Sequence, residues 1–102
     1  MTTAQEVLAE LEALGNEQTR KTYRRHGISG EIYGVSYANL GALRKRLKIN
    51  HTLARQLWDS GNHDARILAT LIADPAQADE QLITAWAGDL RDHVLTDALV
   101  GL

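Results

Sequence analysis

Apolar residues recur along this chain at intervals of three and four, the spacing of one face of a helix; strands alternate every second residue instead. Val7, Leu8, Leu11 and Leu14 form the first stripe. Thr2 or Thr3 stands where it can cap this helix, and Gly15 stands at its stop, where a left-handed residue is wanted. Asn16 reopens a helix over 17–25, ended by Gly27, and residues 26–35, with three glycines, read as the longest loop. Ser36 caps a third helix to about Lys48, with Tyr37, Leu40, Leu43 and Leu47 on one apolar face. Asn50 caps a fourth, which carries Leu53, Leu57 and Trp58 and stops at Gly61; Asn62 caps a fifth over 63–73. Pro75 fits the first turn of a sixth helix, with Leu82, Ile83, Ala85 and Trp86, to about Gly88. Asp89 or Asp92 caps a seventh. No stretch alternates long enough for a strand, so the pattern predicts an all-α fold of about seven helices.

The fifth helix constrains how the others are arranged. Ala65, Ile67, Leu68, Ala69, Leu71, Ile72 and Ala73 leave only a narrow polar side near Arg66. Such a helix is sandwiched between neighbours, and Ile67, Leu68, Leu71 and Ile72 belong among the most buried residues. A shift of 28 residues lays Trp58 on Trp86, Asp64 on Asp92, Ile67 on Leu95 and Leu71 on Leu99. A helical hairpin repeated at this scale predicts stacked antiparallel hairpins, a short α-solenoid. The final residues, LTDALVGL, carry no polar cap, whereas solenoids close on a polar terminal unit. Residues 1–102 are therefore expected to be a single all-α domain, the N-terminal part of a longer helical-repeat protein, able to self-associate through its open apolar end.

Composition narrows the class. Alanine and leucine dominate, proline occurs once and phenylalanine not at all, a helix-forming vocabulary. The absence of cysteine excludes a disulfide scaffold, thiolate zinc sites and cysteine catalysis. The longest mainly apolar run, 67–73, is far short of the roughly 20 residues a membrane helix needs. No basic segment leads into an apolar one at the N-terminus, so a cytoplasmic protein without membrane contact is expected. His26, His51, His63 and His93 lack ligand spacing, so no metal or other cofactor is expected.

Charge changes the picture more. The formal net charge of −2 hides a segregation. Residues 1–19 carry −4, residues 20–55 carry +8 with Glu31 as their one acid, and residues 56–102 carry −6. A basic segment between acidic flanks is a candidate polyanion-binding surface. Arg20 and Arg24 stand one helical turn apart, as do Lys21 and Arg25. In the third helix Arg44, Lys45 and Lys48 avoid the leucine stripe, and Gly41 shares the side of Lys45 and Lys48, leaving room for close approach. The two clusters flank the glycine-rich loop. They are expected to form one electropositive face, with Lys45 and Lys48 on phosphate. The competing reading pairs these cations with Glu17, Glu31 or the acids of the C-terminal half.

Two segments, YGVSYANLGALRKRL and LARQLWDSGNHDARILATLIADP, together carry a family resemblance. The aromatic-Gly-Val step at Tyr33-Gly34-Val35 leads into Leu43-Arg44-Lys45. Leu57-Trp58 then ends one helix, and Ala65-Arg66 opens the buried one. In these residues the chain resembles the N-terminal half of the DNA alkylation-repair family, the AlkD-type DNA glycosylases. The resemblance implies a HEAT-like solenoid whose basic concave face grips duplex DNA by its backbone, in proteins that release cationic alkylated purines. The family's Trp-Asp-x-x-Asp motif matches His93-Val94-Leu95-Thr96-Asp97, with Asp97 on the final aspartate, His93 in place of the tryptophan and Val94 in place of the first aspartate. By the same resemblance, a catalytic arginine and further aromatic residues lie beyond residue 102. Asp97, with His93 one turn earlier, is thus the candidate catalytic pair, and this chain alone is expected to be inactive.

Other readings stay open. A solenoid of this kind can be a protein-interaction module. ALRKRLKINHTLARQLW also has the outline of a DNA-reading helix-turn-helix, though its turn lacks the usual glycine. Trp58 and Trp86 have faces that could stack on bases, but at these helical positions they read as core.

Overall fold

A computed structural model describes residues 2–25, 27 and 31–89. These form six helices: α1 (Ala4–Leu14), α2 (Glu17–Arg25), α3 (Tyr37–Leu47), α4 (His51–Asp59), α5 (His63–Ile72) and α6 (Glu80–Gly88), with no strand among the described residues. The seventh helix expected from the sequence lies outside them. Side-chain caps begin the helices where expected. Thr3, Ser36, Asn50 and Asn62 each accept the backbone N–H three residues on, satisfying a donor the first turn leaves open. The Asn16 side-chain oxygen accepts from Gln18 and Thr19 at the start of α2.

At three helix ends the structure adds to or alters the sequence reading. Gly15 ends α1 with φ −59°, not in the left-handed region. Glycine is needed there for space, because a Cβ would lie 2.4 Å from the Tyr33 carbonyl oxygen. The third helix stops at Leu47, and Lys48 takes the positive-φ position after it. Pro75 is not helical. Asp74 holds a tight turn instead: its carbonyl accepts from Gln77 and Ala78, and its carboxylate accepts from Ala76 and Gln77. Asp79 then caps α6, accepting from Leu82.

Helix α5 lies at the centre. It packs on α4, to which residues 60–62 join it as a short-linked antiparallel pair, and it also meets α1 and α3. Ala65, Ile67, Leu68, Ala69 and Ile72 are buried with Val7, Leu11, Leu40, Leu43, Leu53 and Leu57. His63, Asp64 and Thr70 are buried as well, so α5 is enclosed nearly all round except near Arg66, as expected; Leu71 differs from the expectation in being only half-buried. The described chain measures 35 × 30 × 19 Å. A helix with side chains is about 10 Å across, so the slab is two helices thick, as a hairpin stack requires.

Tryptophans join successive units. The Trp58 and Trp86 rings stack in parallel, 4.4 Å apart and 4° from coplanar, and both are buried. The Arg66 guanidinium lies 4.9 Å from the Trp58 ring centre, and its Nε donates to the Trp58 carbonyl. The Trp58 indole N–H donates to the Asp89 carboxylate at 2.9 Å. These residues are core, as their helical positions implied, and the two that a 28-residue shift aligns are in face-to-face contact.

Candidate nucleic-acid interface

The candidate basic residues lie on α2 and α3, and the extended segment 31–36 lies between these helices in the chain. That segment is held from below. Asp64, in the first turn of α5, is fully buried, and its carboxylate accepts the backbone N–H groups of Tyr33 (2.6 Å), Gly34 (3.1 Å) and Val35 (2.9 Å). A buried carboxylate is tolerated only when donors surround it, and three N–H groups meet that need. Gly34, at φ +79°, lets the chain turn past α2, where a Cβ would come within 2.6 Å of the Asn16 carbonyl and of the Arg20 stem. Tyr23 of α2 completes the anchor by donating its hydroxyl to the Val35 carbonyl at 2.8 Å, while His63 lies edge-on against its ring.

The basic residues divide by what they touch. Arg20 is half-buried, and its guanidinium donates to the Tyr33 carbonyl at 3.0 Å, so it holds the segment in place. Arg46 donates both terminal nitrogens to the Glu10 carboxylate at 2.5 Å and ties α3 to α1. These hydrogen bonds, together with the Arg46 charge, hold the Glu10 carboxyl below its usual range. Lys21, Arg24, Arg25, Arg44, Lys45 and Lys48 are exposed. Among the described residues none of the six reaches a carboxylate, and Arg46 with Glu10 is the only Lys/Arg ion pair. Glu17 and Glu31 therefore do not neutralise them. Arg24 and Arg25 fall in the last turn of α2, and Arg44, Lys45 and Arg46 in that of α3, where cations suit the negative end of the helix dipole.

Tyr37 is not where the leucine spacing put it. Leu40 and Leu43 are buried, but Tyr37 is 59% exposed and lies outside the core. Its three-residue spacing to Leu40 rotates it by about 60° to the edge of the apolar face, towards the side of Gly41 and Lys45. Nothing lies within 4 Å of a Cβ built on Gly41, so that side is open. The candidate residues His93 and Asp97 lie outside the described residues, and among those described no three His, Cys, Asp or Glu side chains converge on one point.

Comparison with known proteins decides what kind of chain this is. A family model described as DNA alkylation repair enzyme matches residues 7–101. The chain belongs to that family. A solved structure described as "A new family of proteins related to the HEAT-like repeat DNA glycosylases with affinity for branched DNA structures" superposes with a TM-score of 0.89 and 34% identity, over 94% of this chain and 41% of that one. The uncharacterised protein Lin0241 of Listeria innocua is 34% identical over 96 residues, 90% of this chain and 43% of its own length. Lmo0209 of Listeria monocytogenes is 34% identical over 90 residues, 84% of this chain and 40% of its own length. The chain thus spans about two fifths of the length of these relatives. The hairpin stack of α1–α6 is the HEAT-like architecture of the alkylation-repair family, and no described helix is long and apolar enough to cross a membrane.

Proposed function

We propose that this chain binds DNA through the phosphate backbone, without sequence preference, as the N-terminal part of an alkylation-repair protein. The observation that carries this reading is the set of six exposed cations on α2 and at the end of α3 that no carboxylate among the described residues neutralises. Family membership supplies the polyanion, and the neighbour described as having affinity for branched DNA supports the same partner. Lys21, Arg24 and Arg25 precede the anchored 31–36 segment in the chain, and Arg44, Lys45 and Lys48 follow it. Arg20 acts by positioning that segment.

Each phosphate neutralised by a lysine or arginine releases counterions, so binding falls steeply as salt rises. Replacing Lys45 and Lys48 by glutamine is expected to weaken binding equally for all duplex sequences. It also lowers the slope of log affinity against log salt by about one unit per lost contact. Fluorescence anisotropy across a salt series measures both. An unchanged slope removes this helix from the DNA-facing surface. Binding that ignores salt favours a protein partner held by an apolar groove, and strong preference for one duplex favours a helix-turn-helix regulator.

The chemistry of the longer protein would be release of an alkylated purine. Such a base is already cationic and leaves without a general acid, while the developing sugar cation needs a nearby carboxylate and a positioned water. Asp97, with His93 beside it, is the candidate for that carboxylate. Residues 1–102 alone are expected to release little or no base.

A further inference from the structure

Resting on the DNA-binding reading above, we infer that Tyr37 is a stacking platform that lets this surface favour DNA carrying an unstacked base over intact duplex. Three observations converge on one face of α3. Tyr37 is 59% exposed at the first turn of an eleven-residue helix. At ~100° per residue, Tyr37, Gly41, Arg44 and Lys45 fall within an arc of about 100°, and at ~1.5 Å rise per residue they span about 12 Å. In the middle of that arc Gly41 presents bare helix surface, with nothing within 4 Å of a Cβ placed there. Lys48 adds a further exposed cation just past the end of the helix.

The stripe therefore offers an aromatic face, then a gap, then two or three cations. A phosphate chain lying along Arg44, Lys45 and Lys48 brings its bases towards Tyr37. In an intact duplex both faces of every base are already covered by neighbours, and Tyr37 has nothing to stack on. At a bulge, flap or junction at least one base presents a free face. Stacking of a base on an aromatic ring is indifferent to which base it is, because all have a π-face. Preference for branched DNA without preference for sequence follows.

The test uses the full 102-residue chain and three labelled DNAs of equal length: a perfect duplex, the same duplex with an unpaired bulge, and a three-way junction. Wild type is expected to bind the bulge and the junction more tightly than the duplex. Stacking one base is worth between roughly 5-fold and 150-fold in affinity. Tyr37→Ala is expected to lose about 10-fold on bulge and junction while changing duplex binding less than about 2-fold, and Tyr37→Phe to keep the preference. Tyr37 is exposed, and circular dichroism of both variants confirms that the helices persist. The inference is overturned if Tyr37→Ala weakens all three DNAs by the same factor, leaves all three unchanged, or if wild type shows no preference to lose. In those cases salt-dependent duplex binding, sensitive to Lys45→Gln and Lys48→Gln, still stands. If none of the three DNAs is bound, the DNA-binding reading itself fails, and this inference with it.

Discussion

Lys48 holds two properties that pull apart. Its φ of 58° and ψ of −155° lie where L-residues rarely sit, and a side chain there costs about 1–3 kcal/mol. Glycine would relieve the strain and return part of the gain as unfolded-chain entropy. Lys48→Gly is therefore expected to stabilise the fold by about 1 kcal/mol, raising Tm by roughly 4–8 °C, while it weakens DNA binding. Thermal unfolding and anisotropy on one protein sample check both signs. Tyr23 gives a second residue-level expectation. Burial first, then the Asp64 carboxylate and the Tyr37 phenol, push its hydroxyl up to about 12 from an ordinary value of 10.0. The folded value is the raised one, so its stabilisation is complete below pH ~10 and is lost as pH climbs from there towards ~12. The Tyr33 hydroxyl is also raised, by burial first and then by Glu12, Glu31 and Asp64, so an ultraviolet titration should find late tyrosine ionisation, part of which disappears in Tyr23→Phe. Tyr23→Phe should remove that alkaline loss and, at neutral pH, cost about 1 kcal/mol for the bond to Val35.

Between elements, Asp64 decides how α5 and the 31–36 segment fit. Asp64→Ala leaves three backbone donors without their acceptor and should cost about 3 kcal/mol or more in urea unfolding. Much of the element layout could be read from sequence because capping is local: Thr3, Ser36, Asn50 and Asn62 act within three residues of themselves. What escaped the reading is decided across the chain. Nothing near Asp64 announces that it will meet Tyr33, Gly34 and Val35, some thirty positions earlier. Gly15 read as a left-handed stop, although its need for a missing Cβ comes from the Tyr33 carbonyl. Pro75 read as a helix start because both a first turn and a tight turn accept it; the Asp74 side chain selects the turn. Of the candidate interface, the exposed cations were legible from charge alone. Tyr37 was not, because a residue on the rim of an apolar stripe has the same spacing as one inside it.

At the scale of the molecule, the fold separates attachment from presentation. Arg46 is tied to a carboxylate, and Arg20 and Arg66 to backbone carbonyls, and all three join elements; Lys21, Arg24, Arg25, Arg44, Lys45 and Lys48 are exposed. Charge segregation along the sequence thus becomes a division of labour in space. The stacked indoles have a different consequence. The chain contains two tryptophans, and both sit in that one contact. Trp86 is also the one buried residue of α6, with Leu82 and Ile83 partly buried against the same core. Two parallel chromophores 4.4 Å apart couple their electronic transitions, so the tryptophan part of the near-ultraviolet circular dichroism is expected to report a single joint between units. When that joint opens the signal collapses while the far-ultraviolet helix bands persist, since α4 and α6 need not unwind to separate. The protein carries its own optical label for the seating of one repeat on the next, with no dye and no engineered residue.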